Sequence, residues 1–219
     1  MGGMFGESKH EVLSKIPATL VPRSVLIHKN LSAQAVKERL LRHNLHFPLI
    51  FKPDIGERGY MVKKITAPAD VDTYLREIKV DFIAQEFVDL AEEYGVFYTR
   101  FPDQPSGTIT SIVKKEMLYI TGNGIDILQK LILKNDRAKL QWHALRDAYR
   151  IDLNKVVPAG KHVELVSIGN HSRGTKFLNY NHLINVKLND TFDVISRQID
   201  GFYFGRFGLR CADVDDLYA

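Results

Sequence analysis

The sequence predicts an α+β chain, and three observations carry that expectation. Short apolar runs, as at residues 48–51 and 82–88, are bounded by Gly, Pro or charged residues in the manner of strands. Between them lie apolar stripes at helical spacing. In the clearest, Val71, Tyr74, Leu75 and Ile78 stand at i, i+3, i+4 and i+7. Around residues 103–107 two strand-like runs flank a turn rich in Pro and Gly, which marks a hairpin and antiparallel pairing.

Taken in order, residues 1–12 are glycine-rich and expected to start loosely. Residues 21–28 read as a strand, and Ser32 caps a helix with Ala33, Val36 and Leu40 on one face. The stretch HFPLIFKPDIGERGY (46–60) holds a strand closed by Lys52 and Pro53, a glycine-punctuated loop over 54–59, and the start of a return strand at 60–62. A helix opened by Pro68 and a strand over 82–88 complete a lobe with one covering helix. Strands are then expected at 96–100, 108–113 and 117–121, the last ended by Gly122-Asn123-Gly124. Helices follow over 125–133 and 137–149. In the second, Ala138, Trp142, Leu145 and Tyr149 form a core stripe. A connector over 151–160 leads to a strand at 163–168. Asn189 is expected to cap a last helix with Phe192, Ile195 and Ile199 inward, and a closing strand runs through 202–211.

A chain of 219 residues with 45% hydrophobic content can bury a core as one domain or two lobes. The formal charge of +4 suits an anionic ligand such as a nucleotide. No basic run with interleaved aromatics argues for nucleic acid. The single cysteine, Cys211, excludes an intramolecular disulfide, fits a reducing compartment and reads as a core thiol. The histidines show no metal-site spacing. The N-terminus lacks the basic and apolar regions of a signal peptide, and no run approaches the roughly 20 apolar residues of a membrane span. The chain therefore reads as cytoplasmic.

Two stretches carry chemistry. In the first, Gly56 and Gly59 would let backbone N–H groups approach phosphate oxygens, with Lys52 and Arg58 supplying positive charge on either side. It is neither a P-loop nor a dinucleotide fingerprint, and a plain hairpin with a charged turn explains the same residues. The second is Gln85-Glu86-Phe87-Val88, with Glu93 seven residues after Glu86. A carboxylate inside a buried strand is costly unless it has a partner. A hinge strand against adenine would supply one, since backbone groups copy a base-pair edge and a carboxylate accepts from the amine or the ribose hydroxyls. An edge strand with Glu86 in solvent accounts for the pattern equally well.

Together these pieces resemble the ATP-grasp family, in the branch of D-alanine–D-alanine ligases and cyanophycin synthetase, over nearly the whole chain. The resemblance implies two α+β lobes with ATP between them. The chain would divide into an N-terminal segment (1–47), a small nucleotide-binding lobe (48–88) and a larger lobe (89–219). Lys52 matches the lysine that contacts ATP phosphates. Gly56, Glu57, Arg58 and Gly59 match the mobile loop that closes over them. Gln85, Glu86, Phe87 and Val88 match the adenine hinge, and Glu93 the ribose-binding carboxylate. Arg206 matches the arginine that stabilises the transferred phosphoryl group, and Arg173 and Lys176 lie where substrate and phosphate contacts gather.

The resemblance implies ATP and magnesium as cofactors and a small carboxylate and an amine as substrates, joined through an acyl phosphate. No side-chain nucleophile is required, and none is found. Two departures stand beside it. Gly208 occupies the position of a magnesium-binding aspartate, and no Glu-x-Asn pair follows, so no metal ligand is assigned. Asp213, Asp215 and Asp216 read as a solvated acidic turn, and Gly122-Asn123-Gly124 stands where relatives often have Gly-Asp-Gly. A fragment or truncated member is the expectation, and the alternative function is a non-catalytic nucleotide-binding relative.

Overall fold

The computed structural model describes residues 6–56, 59–166, 169 and 173–218. Its contacts form two units, one of Met1–Ile112 with Asn181–Ala219 and one of Val113–Tyr180.

The first unit contains an antiparallel sheet of β1 (Ser24–Ile27), β2 (Leu49–Pro53), β3 (Lys63–Ile65) and β4 (Phe82–Glu86), in the order β1-β4-β2-β3. A strand from before residue 48 is thus hydrogen-bonded to β4. Alternation along the strands sends Val25, Ile27, Leu49, Phe51, Ile65, Phe82 and Ala84 into one core, with Val36 and Leu40 of α2 (Ala33–Arg42) and Val71 and Tyr74 of α3 (Pro68–Glu77). The rings of Phe51, Tyr74 and Phe82 meet at 5.1–5.2 Å between centroids. Both helix starts follow from sequence. Ser32 Oγ accepts from the Ala35 N–H, and the Asp70 carboxylate accepts from the Thr66 and Ala67 N–H groups. The return strand begins at Lys63, not at Tyr60, because Gly59 and Met61 take left-handed conformations (φ 71° and 51°) and hold residues 59–62 in a turn. Near the N-terminus, where a loose start was expected, Lys9–Ser14 form a short helix, α1.

The same unit pairs β5 (Glu92–Thr99) with β10 (Phe204–Cys211) along their whole lengths, from Glu92↔Cys211 to Thr99↔Phe204. Tyr94, Val96 and Tyr98 are buried. The hairpin turn before β6 (Thr108–Glu116) is held by α6 (Val186–Arg197). Asp193 accepts from Tyr98 Oη at 2.5 Å and from the Gly107 N–H at 2.7 Å. The cap of α6 is Asn185, whose side chain accepts from the Leu188 N–H. Asn189, expected as the cap, instead accepts from the Ile109 N–H at 2.7 Å. After β10, Asp213 caps α7 (Val214–Leu217), so the expected acidic turn is a capped helical turn.

The second unit has the end of β6 paired with β9 (Lys176–Asn179), and β7 (Tyr119–Thr121) paired with β8 (His162–Glu164). Leu118, Ile120, Leu128, Ile132, Leu145 and Leu165 make its core with α4 (Leu128–Lys134) and α5 (Trp142–Ala148). The helix expected over 137–149 is split, a 3-10 turn at Lys139–Gln141 preceding α5. Of the strand expected at 163–168, residues 167 and 168 lie outside the described residues. Asn123 accepts from the Ile125 and Asp126 N–H groups and donates to Asp126, which also pairs with Lys130 and Lys134. The Gly-Asn-Gly stretch is therefore part of a turn-stabilising knot.

Candidate functional site

Alternation on the first sheet sets Lys52, Lys64 and Gln85 on the face opposite the core. Ile50 stands opposite both Lys64 and Gln85, and Lys52 is two residues farther along β2. Lys52 Nζ donates to Gln85 Oε1 at 2.6 Å. Burial lowers the Lys52 pKa to about 8, Lys9 adding to the effect and Asp54 opposing it. Lys64 Nζ sits 3.5 Å from the centroid of the Phe87 ring, a cation–π contact at the end of β4. Phe87 and Val88 are half-buried and follow the strand directly.

Glu86 points to the other face. Its carboxylate accepts from Arg23 Nη2 at 2.8 Å and Arg23 Nε at 3.4 Å, and its N–H donates to the Arg23 carbonyl. The hydrogen bond from Arg23 holds the Glu86 carboxyl below the usual carboxylate range. The polar pair in β4 thus has two separate partners, Lys52 for Gln85 and Arg23 for Glu86. Gly56 has φ 151°, a backbone conformation that favours glycine. Gly59 lies in the turn described above, and Glu57 and Arg58 lie outside the described residues.

The β5–β10 pair adds a second group. Glu93, 17% exposed, accepts from Arg210 Nη2 at 3.2 Å. Arg210 Nη1 also donates to the carbonyls of Leu90 (3.3 Å) and Val88 (3.5 Å), so one guanidinium ties β10 to the chain leaving β4. Arg206, on the same strand face as Arg210, is exposed, stands opposite Phe97 and makes no ion pair among the described residues. Between the two arginines Gly208 faces Gly95, and a Cβ on Gly208 would meet nothing within 4 Å.

No protein-family model and no curated protein matches the sequence. Solved structures do match. The D-alanine–D-alanine ligase of Bacillus anthracis aligns with a TM-score of 0.51 and 12% identity, over 94% of this chain and 52% of that one. The VanG D-Ala:D-Ser ligase of Enterococcus faecalis gives 0.46 and 13%, over 87% and 43%. The bifunctional glutathione synthetase of Pasteurella multocida gives 0.40 and 13%, over 94% and 29%. The chain has an ATP-grasp fold. It spans about half the length of the first of these structures and less of the others.

The donors on β10 do not fit the magnesium ion that the sequence resemblance implies. Gly208 offers no ligand, its neighbours along that face of β10 are the guanidinium groups of Arg206 and Arg210, and the Glu93 carboxylate across from Arg210 is paired with it. Among the described residues no group of three or more His, Cys, Asp or Glu side chains could hold a metal. Arg173 and Lys176 belong to the second unit. Lys176 pairs with Glu116 at 3.0 Å, as does Arg137 at 3.3 Å, and Arg137 also donates to the Gly174 carbonyl. Lys176, Arg137, Thr175 and Phe177 line an open cavity of about 470 Å³, and Arg173 is half-buried beside Gly174. Arg23, Lys64 and Arg210 went unread in the sequence. Period-two alternation through Arg206, Gly208 and Arg210 was the available signal for the last of them.

Proposed function

We propose that this chain binds ATP on the face that carries Lys52 and Gln85, as part of an ATP-dependent carboxylate–amine ligase. The observation that carries this reading is Lys52. It is a desolvated ammonium held by one neutral amide, two residues before a bend leading to a glycine, on a strand paired with the one that runs into the half-buried segment Phe87–Val88. Such a group gains most from a polyphosphate, whose charge replaces the water it has lost.

In this reading residues 48–88 supply the phosphate lysine and the adenine hinge, where the backbone at Phe87 and Val88 meets the base edge. Glu93 accepts from the ribose hydroxyls. Arg206 offsets charge on the phosphoryl group as it moves. A carboxylate oxygen attacks the γ-phosphorus, the bond to ADP breaks, and an acyl phosphate forms. The amine then attacks the acyl carbon and phosphate leaves, giving the amide. Arg173 and Lys176 are assigned to acceptor or phosphate contacts in the second unit, and the reaction to the cytoplasm.

The second reading is a nucleotide-binding protein without catalysis, favoured by Gly208 and its flanking arginines. A thermal shift with ATP, with and without magnesium, separates the two, because a ligand that binds the native state raises its apparent stability. A magnesium-dependent shift lost in Lys52→Ala supports the ligase. A magnesium-independent shift supports the binder, and no shift in either condition overturns both.

A further inference from the structure

Asp54, at the exit of β2, is 8% exposed and is gripped by residues more than forty positions away. Its Oδ1 accepts from Ser8 Oγ at 3.0 Å and from the His10 N–H at 2.9 Å. Its carbonyl accepts from the Lys9 N–H at 3.1 Å and from Lys9 Nζ at 3.0 Å. Lys9 Nζ also donates to the Gly56 carbonyl at 2.8 Å. On the opposite side the Asp54 N–H donates to the Asp81 carbonyl at 2.9 Å. Three consecutive residues at the start of α1 thus fix the two ends of the Asp54–Gly56 bend, directly after the strand that presents Lys52.

We propose that Lys9 and Asp54 are positioning residues of the Lys52 anion site: they fix the exit of β2, and their opposite charges tune how strongly Lys52 holds a polyphosphate. The inference rests on the nucleotide reading above and adds to it a segment outside every residue the sequence assigned to the site. Among the described residues, two charged groups act on Lys52. Lys9 comes from α1 and Asp54 directly follows β2, while β4 offers the uncharged Gln85. Lys64 of β3 shares the face, with its ammonium on the Phe87 ring. Lys9 weakens the hold of Lys52 on its proton and Asp54 strengthens it. Removing either charge should therefore move Lys52 in opposite directions, which a merely structural role for α1 would not do.

The test uses the full chain and three variants, Lys9→Met, Lys9→Arg and Asp54→Asn. Two quantities are measured: the pH profile of Lys52 acetylation by acetic anhydride, followed by peptide mass spectrometry without nucleotide, and the affinity for ATP. The wild-type profile should have its midpoint at about 8. Lys9→Met should raise the midpoint, Asp54→Asn should lower it, and Lys9→Arg, which keeps both charge and donors, should leave it in place. ATP affinity should fall about tenfold in Lys9→Met, the scale of one lost charge-assisted hydrogen-bonding group, and recover in Lys9→Arg. Unmoved midpoints with unchanged affinity overturn the proposal, as does a loss in Lys9→Met that Lys9→Arg fails to restore. Midpoints that move while wild-type protein binds no ATP overturn the nucleotide reading and leave the Lys9–Asp54 influence on Lys52 standing.

Discussion

Lys52 shows how one half-buried, desolvated charge links fold to pH response. Its pKa is about 8 in the folded chain and near 10.4 in an unfolded one. Between those values the unfolded chain binds more protons, so stability rises with pH across that window, and the full cost of the desolvated ammonium is present below about pH 8. Replacing it should remove that rise. The difference in urea midpoint between Lys52→Met and wild type should favour the variant at pH 7 and shrink by pH 10. ATP binding should run the other way, weakening as pH climbs through 8 and Lys52 loses its proton, which calorimetric titration across pH 7 to 9.5 would show. Arg210 makes a second residue-scale case. Arg210→Met removes donors from the Val88 and Leu90 carbonyls and from Glu93, and should cost about 1–3 kcal/mol, measured by denaturant unfolding. Lys52 was legible because it closes an apolar strand before a glycine loop. Arg210 was not, since an arginine late in a strand reads as solvated surface until the register sets it beside Glu93.

At the scale of elements, the first sheet and its helices rest on a few side chains. Phe51 is fully buried between Tyr74 and Phe82, and Phe51→Ala should cost about 3–5 kcal/mol through lost burial and a cavity. The two asparagines of α6 have different work. Asn185→Ala should cost about 1 kcal/mol as a lost cap. Asn189→Ala leaves the Ile109 N–H without its acceptor and should also disturb the hairpin at Thr108, visible as faster amide exchange there. In sequence Asn189 reads as the cap, and Asn185, four positions earlier, is the same residue type. Only the packing of α6 on the hairpin decides between them. The helices α2 and α3 were readable from their stripes and starts. The strand β9, four residues of mixed character, carried no periodic signal, and β3 was displaced by a left-handed turn whose Met61 gives no hint in sequence.

At the scale of the molecule, the sequence pointed to the ATP-grasp fold because Lys52, the glycine loop, the hinge and Arg206 occur in order at workable spacing. What a linear reading could not see is nesting. The chain leaves the first unit after Ile112, builds the second, and returns at Asn181 to add α6 and β10. Composition does not change at either crossing, so nothing local marks them. The crossings are neighbours, for the Ile112 N–H donates to Asn181 Oδ1 at 2.8 Å. A short glycine–serine linker should therefore replace residues 113–180 at small entropic cost, leaving a first unit that still unfolds cooperatively in urea and still shows the Lys52 acetylation midpoint. That single doorway has a wider meaning. A unit entered and left at one seam can be exchanged whole by recombination, so its surface can change without disturbing the strands that present Lys52.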